Sequence, residues 1–96
     1  MRLAVHPAAQ VELDDALAWC KESFGQQVAL CLHSRFDKAG RTLTQEPGIG
    51  TPAGQQTRKL KLGRKPYSLV YQVRGDLITV LAMAHDSRKP GYWHGR

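Results

Sequence analysis

The stretch from Pro66 to Trp93 reads PYSLVYQVRGDLITVLAMAHDSRKPGYW. Two apolar runs stand out in it, Tyr67 to Val73 and Leu77 to Ala84. Both are rich in β-branched and aromatic residues and bounded by Gly and Pro, which is the pattern of strands. Gly75-Asp76, between the runs, suits a two-residue hairpin loop, because glycine takes the positive φ of a type I′ or II′ turn at no steric cost. That loop predicts a register: Arg74 opposite Leu77, Val73 opposite Ile78, Tyr71 opposite Val80, Leu69 opposite Ala82 and Tyr67 opposite Ala84. Because side chains alternate along a strand, the register sorts them onto two faces. One face, with Tyr67, Leu69, Tyr71, Val73, Ile78, Val80, Ala82 and Ala84, is almost wholly apolar and requires a large cover. The other carries Val70, Leu81 and Met83 as an apolar island among Ser68, Gln72, Arg74, Thr79 and His85. A mixed face of this kind is either a surface for a partner or the bed on which the following segment lies.

The 96 residues, 42% hydrophobic and 23% charged, predict one domain, residues 1–96, with one modest core. The opening MRLAVHPAAQ holds too short an apolar run for a signal peptide, and no window is long enough to span a bilayer. A cytoplasmic protein with no membrane partner is the expectation. Cys20 and Cys31 form no CxxC and no metal-ligand spacing, so they read as two small apolar residues in a reducing compartment. Neither a metal nor a cofactor is expected. The formal charge of +6 is unevenly placed. Residues 1–57 hold five basic and six acidic groups, whereas residues 58–96 hold nine basic and two acidic ones. So basic a second part favours an anionic target or an acidic protein partner.

Outward from the hairpin, Arg2 to His6 is a short strand candidate, and Pro7 suits the first position of a helix, where its missing N–H costs nothing. Ala9, Leu13, Ala16, Leu17, Cys20 and Phe24 recur at helical spacing over Ala8 to Phe24, and Gly25 is the natural stop. Val28 or Ala29, Leu32, Phe36, Ala39 and Leu43 mark a second helix from Gln26 to Gln45. A break as short as Gly25 allows only an antiparallel helical hairpin, the obvious cover for the apolar sheet face. Pro47 to Gln56, PGIGTPAGQQ, reads as a loop, and it lacks the Lys-Ser/Thr ending of a phosphate-binding loop. Thr57 to Leu62 alternates as a strand. The order β-α-α-β-β-β predicts an α+β fold, a helical hairpin packed on one face of a mainly antiparallel four-stranded sheet.

Two groups of residues could carry chemistry. Lys59, Lys61, Arg64 and Lys65, with Arg58 beside them and Arg88 and Lys89 after the last strand, form a basic rim able to meet several phosphates or an acidic segment. His85, Arg88 and Tyr92 fall within eight residues and could supply a base, a phosphate clamp and an acid. Tyr92 and Trp93 could equally stack on bases, or pack the tail onto the sheet.

Three stretches together carry a resemblance: Glu12–Trp19 (ELDDALAW), Pro66–Val73 (PYSLVYQV) and Ala84–Trp93 (AHDSRKPGYW). With the order of elements, they make the chain similar over nearly its whole length to the RelE/ParE superfamily, the toxins of bacterial type II toxin–antitoxin systems. The likeness is greatest to ParE-like members with an Arg-x-Pro-x-Tyr-Trp tail. It implies a toxin neutralised by a cognate antitoxin, possible hetero-oligomers with it, and inhibition of DNA gyrase by binding. The alternative that it implies is a ribosome-dependent, metal-independent mRNA endonuclease. Nuclease members carry an arginine where Ser68 stands, and one branch carries a glutamate near Ile49. His85, Arg88 and Tyr92 fall where nuclease members keep catalytic groups. For antitoxin or target binding, the expected contacts are Arg58, Lys59, Lys61, Arg64, Lys65 and Arg88 on the rim. Val70, Leu81, Met83 and Trp93 are the expected apolar anchors. Arg88 and Arg58 are not expected to converge with His85 and Tyr92 into a complete nuclease site.

Overall fold

The computed structural model describes residues 1–64 and 66–96. The chain runs β1 (Arg2–Val5), α1 (Pro7–Phe24), α2 (Gln26–Gln45), β2 (Thr51–Pro52), β3 (Arg58–Lys61), β4 (Tyr67–Arg74) and β5 (Leu77–His85). The strands form one sheet in the order β1-β5-β4-β3-β2, with β1 parallel to β5 and the other neighbours antiparallel. Lys65, expected on the basic rim, lies outside the described residues.

Local chemistry accounts for the helix boundaries. His6 precedes α1 in an extended conformation, and its Nδ1 accepts the Ala8 N–H at 3.1 Å, while Pro7 opens the helix. Gly25, at φ +95°, separates the two helices, a conformation costly for any residue with a Cβ. The predicted stripes are buried at Ala9, Leu13, Ala16 and Cys20 on α1, with Leu17 partly buried, and at Ala29, Leu32, Phe36, Ala39 and Leu43 on α2; Phe24, predicted on the α1 stripe, is instead exposed at the end of the helix. They meet Leu62, Tyr67, Leu69, Tyr71, Ile78, Val80 and Met83 of the sheet in the main core. Among the described residues, no helix is long and apolar enough to cross a membrane.

The hairpin keeps the predicted register near its turn and loses it farther out. Arg74 pairs with Leu77, Val73 with Ile78 and Tyr71 with Val80. A β-bulge then intervenes, and Val70 pairs with Ala82, Leu69 with Met83 and Tyr67 with His85. Leu69 opposite Ala82 and Tyr67 opposite Ala84 are therefore corrected by one residue. An extra residue in one strand exchanges the faces of everything beyond it. Met83 thus joins the helix-side core, and Ala82 and Ala84 move to the opposite side. The bulge lies where β1 has ended, since the last β1–β5 pair is Val5 with Val80. Side chains replace the missing strand there: Glu12 accepts the Met83 N–H at 3.2 Å and Arg96 donates to the Leu81 carbonyl at 2.8 Å.

The expected loop of residues 47–56 holds a fifth strand, which also corrects the count of four. Thr51 pairs with Lys59 and Pro52 with Arg58. The connection between β2 and β3 closes through a Thr57 N–H to Gly54 C=O bond at 2.9 Å, with Gln55 at φ +47° and Gln56 at φ +64°. Two central residues at positive φ make this a type I′ turn, built from residues other than the usual Asn and Gly. Tyr71, wholly buried, anchors the preceding segment: its hydroxyl donates to the Pro47 carbonyl at 2.8 Å and accepts the Gly50 N–H at 2.9 Å.

Candidate functional site

The second sheet face is not an open apolar island. The segment after β5 folds back across it, and Trp93, 3% exposed, packs on Val70, Leu81, Ala82 and Ala84. Of the two readings of this face, the bed for the following segment is the one observed: Val70, Leu81 and Trp93, the expected apolar anchors for a partner, are interior, and Met83 is interior on the helix side. The physical reason is the indole itself, whose large apolar surface gains more from burial on the sheet than from water.

Arg96 holds the returning segment down. Its Nη1 donates to Glu12 Oε1 at 2.8 Å and to the Leu81 carbonyl at 2.8 Å. The side chains of Arg96 and Glu12 are only 20% and 17% exposed. Tyr92 lies between two guanidinium groups, Arg88 at 4.4 Å and Arg96 at 5.1 Å from its ring centroid, which is cation–π geometry.

This arrangement lines an open cavity of about 210 Å³. α1 contributes Glu12, Asp15 and Trp19; β4 contributes Tyr67; β5 contributes Met83 and His85; the returning segment contributes Arg88 and Tyr92. His85, Arg88 and Tyr92, singled out by their spacing in sequence, therefore do share one cavity. Arg58 does not reach it. Its guanidinium donates to the Gly50 carbonyl at 2.7 Å and lines a separate depression beside Pro52, Thr57 and Gln72.

Most of the titratable groups around the cavity are already engaged. The His85 ring stands edge-on to Tyr67 at 5.0 Å. Its Nδ1 accepts the Ser87 N–H at 3.0 Å and lies 2.7 Å from Ser87 Oγ. A backbone N–H can only donate, so the neutral ring carries its own hydrogen on Nε2. Burial pushes the Tyr92 phenol up to about 12, reinforced by interaction with the Glu12 carboxylate and opposed by Arg88 and Arg96. The Tyr67 phenol is also raised, by burial first and by Cys20 second. Arg88 is exposed, and among the described residues it has no carboxylate within 4.0 Å.

The basic rim divides by role. Lys61 is paired with Asp86. Lys59 is half-buried and Arg64 is exposed. Ser68, 1% exposed, lies opposite Lys61 and Ala84 and brings no charge to the site. Sequence reasoning did not place Arg96, Glu12, Trp19 or Tyr67 at the site. Glu12 and Arg96 meet across 84 positions of sequence, and no local pattern signals such a pair.

Comparison with known proteins gives consistent results. Residues 3–90 match the model of a family described as the ParE toxin of type II toxin–antitoxin system, parDE. Among solved structures, a chain of the chromosomal ParDE TA system from P. aeruginosa is similar, with a TM-score of 0.80 and 26% sequence identity. The likeness covers 88% of this chain and 95% of that one. No curated protein sequence matches.

Proposed function

The chain belongs to the ParE toxin family of type II toxin–antitoxin systems, and on that footing we propose that it acts in the cytoplasm by binding and inhibiting DNA gyrase. A cognate antitoxin is its natural partner, as for any toxin of such a system. The observation that carries the proposal is the state of the groups around the cavity. A metal-independent ribonuclease must activate a ribose 2′-OH, stabilise charge on the phosphate and protonate the leaving oxygen. His85 has Nδ1 committed to Ser87, which leaves an N–H donor at Nε2 where a base would need a lone pair. Tyr92, pushed up to about 12, is a poor proton donor near neutral pH. Ser68 has neither the charge nor the planar fork with which an arginine grips a phosphate in two places. Arg88 is left as the single guanidinium facing outward from this cavity without an ionic partner among the described residues.

In this reading the target meets the exposed basic groups, Arg64, Arg88 and the half-buried Lys59, together with the ordered surface of the segment from Arg88 to Trp93. Lys61 and Arg58 contribute less, because each is already bonded within the chain. One observation favours the alternative, an mRNA endonuclease of the RelE kind: His85, Arg88 and Tyr92 line the same cavity.

Induction in a bacterial host separates the two. Growth arrest, relief on co-induction of the cognate antitoxin, and relaxation of a reporter plasmid with intact mRNA are the expected results. Arrest with normally supercoiled plasmid and fragmented mRNA overturns the gyrase proposal.

A further inference from the structure

A cavity larger than that of His85, Arg88 and Tyr92, about 380 Å³ in volume, lies at the other end of β4. β3 begins at Arg58, opposite Tyr71, so among the described residues Gln72 and Val73 have β5 on one side and no strand on the other. The β2–β3 connection stands beside the space that this leaves. Pro52, Gln56 and Arg58 line the cavity from that side, and Tyr71, Gln72 and Val73 from β4. The two cavities share no lining residue.

Arg58 brings this cavity a charge that its walls do not neutralise. No acidic residue lines it, and among the described residues Arg58 has no carboxylate within 4.0 Å. Its Nη1 donates to the Gly50 carbonyl at 2.7 Å and to the Gly48 carbonyl at 3.4 Å. That fixes the side chain and leaves Nε–H and Nη2–H, the planar fork that grips a carboxylate in two places, without a partner among the described residues. The segment that holds Arg58 is itself held, because the Tyr71 hydroxyl bonds to Pro47 and Gly50. Gln56 and Gln72 add two amides; Pro52, the Tyr71 ring and the exposed Val73 add an apolar wall. A few convergent polar groups on an apolar wall, in a space of this size, make the pattern of a small-molecule site. The backbone supports the same reading. Gln55 and Gln56 hold φ +47° and +64°, a conformation costly for any residue with a Cβ. Such strain gathers at ligand-binding positions, and here a strained residue is one that brings an amide to the cavity.

We propose that this cavity binds a small organic carboxylate, with the carboxylate on the free fork of Arg58 and the apolar body against Pro52, Tyr71 and Val73. Gln56 and Gln72 take polar substituents of the ligand. A single guanidinium balances a monoanion; a phosphate monoester, close to a dianion at neutral pH, is left with uncompensated charge. Occupancy of this cavity is independent of whether gyrase is the target, so the following test does not share the fate of that proposal.

Benzoate is the probe, benzamide its neutral counterpart and inorganic phosphate the competing anion. Each is titrated into the full chain and followed by the NMR shifts of the Gln56 and Gln72 side-chain amides and of the Arg58 Nε–H. The expected results are saturable shifts with benzoate and about tenfold weaker binding of benzamide and of phosphate. Arg58→Lys keeps the charge and loses the fork, and should bind benzoate about tenfold more weakly. Gln56→Gly should also bind more weakly while unfolding at no lower urea concentration, since glycine takes this φ without strain; its loss of binding is then not a loss of fold. Shifts that do not saturate, equal binding of benzamide, tighter binding of phosphate than of benzoate, or unchanged affinity in both variants overturns the proposal.

Discussion

Replacing Glu12 with alanine removes one side chain from α1, leaves the Met83 N–H without its acceptor and the Arg96 guanidinium with the Leu81 carbonyl alone, and so loosens the segment that Arg96 ties down. The magnitude follows from burial. Exposed ion pairs contribute about 0.2–1 kcal/mol, whereas breaking a fully buried one costs about 3–5 kcal/mol. With side chains 17% and 20% exposed, Glu12 and Arg96 stand closer to the buried case. A cost of about 3 kcal/mol is expected, including the unpaired Met83 amide. For a domain of this size that lowers Tm by roughly 10–20 °C. Urea denaturation of Glu12→Ala, Arg96→Ala and the double variant gives the coupling between them, expected at about 2 kcal/mol. Arg2→Ala is the control, since the Arg2–Asp76 pair has side chains 73% and 75% exposed and should contribute less than about 0.5 kcal/mol. A loss for Glu12→Ala no larger than for Arg2→Ala would refute the view that this pair fastens the returning segment to α1 and the bulge.

Other consequences are open to direct measurement. Trp93→Ala should cost about 3–5 kcal/mol and increase dye binding to the bared sheet face; Trp93→Phe should cost far less, because among the described residues the indole N–H has no hydrogen-bond partner to lose. Tyr71→Phe strands the Pro47 carbonyl and the Gly50 N–H, and denaturation should show a loss of about 2 kcal/mol, with exchange fastest around Gly50. Asn-Gly in place of Gln55-Gln56 relieves positive φ at both positions and should raise stability by about 1 kcal/mol, read from the urea midpoint. Tyr92 has a folded pKa of about 12 against an unfolded value of 10.0, so the unfolded chain releases this proton first as pH rises. Its contribution is complete below pH 10 and is lost between pH 10 and about 12; Tyr92→Phe should flatten that part of the stability–pH curve.

The parts of the fold governed by local periodicity were legible. The helical stripes, the Gly25 break and the Gly75-Asp76 turn each follow from a few neighbouring residues, and the structure places them where the pattern did, apart from Phe24, which the end of α1 leaves exposed. The bulge was not legible, because nothing in LITVLAMAH marks an extra residue. Its polar groups are satisfied from α1 and from Arg96, both remote in sequence. β2 was hidden by Pro52 and by a turn made of two glutamines, a pair with no turn signature. At the candidate site, His85, Arg88 and Tyr92, close together in sequence, line one cavity. Spacing could not tell that Arg58 is held by the Gly50 carbonyl, nor that Val70, Leu81 and Met83 are covered, since both depend on how the chain closes on itself.

The most direct test of the account uses the purified protein in two assays side by side: gyrase supercoiling, and mRNA cleavage on translating ribosomes. The account predicts that supercoiling falls with added protein and recovers with the antitoxin, that Arg88→Ala weakens the inhibition, and that mRNA stays intact. Codon-phased cuts that vanish in His85→Ala or Arg88→Ala, with gyrase unaffected, would contradict it.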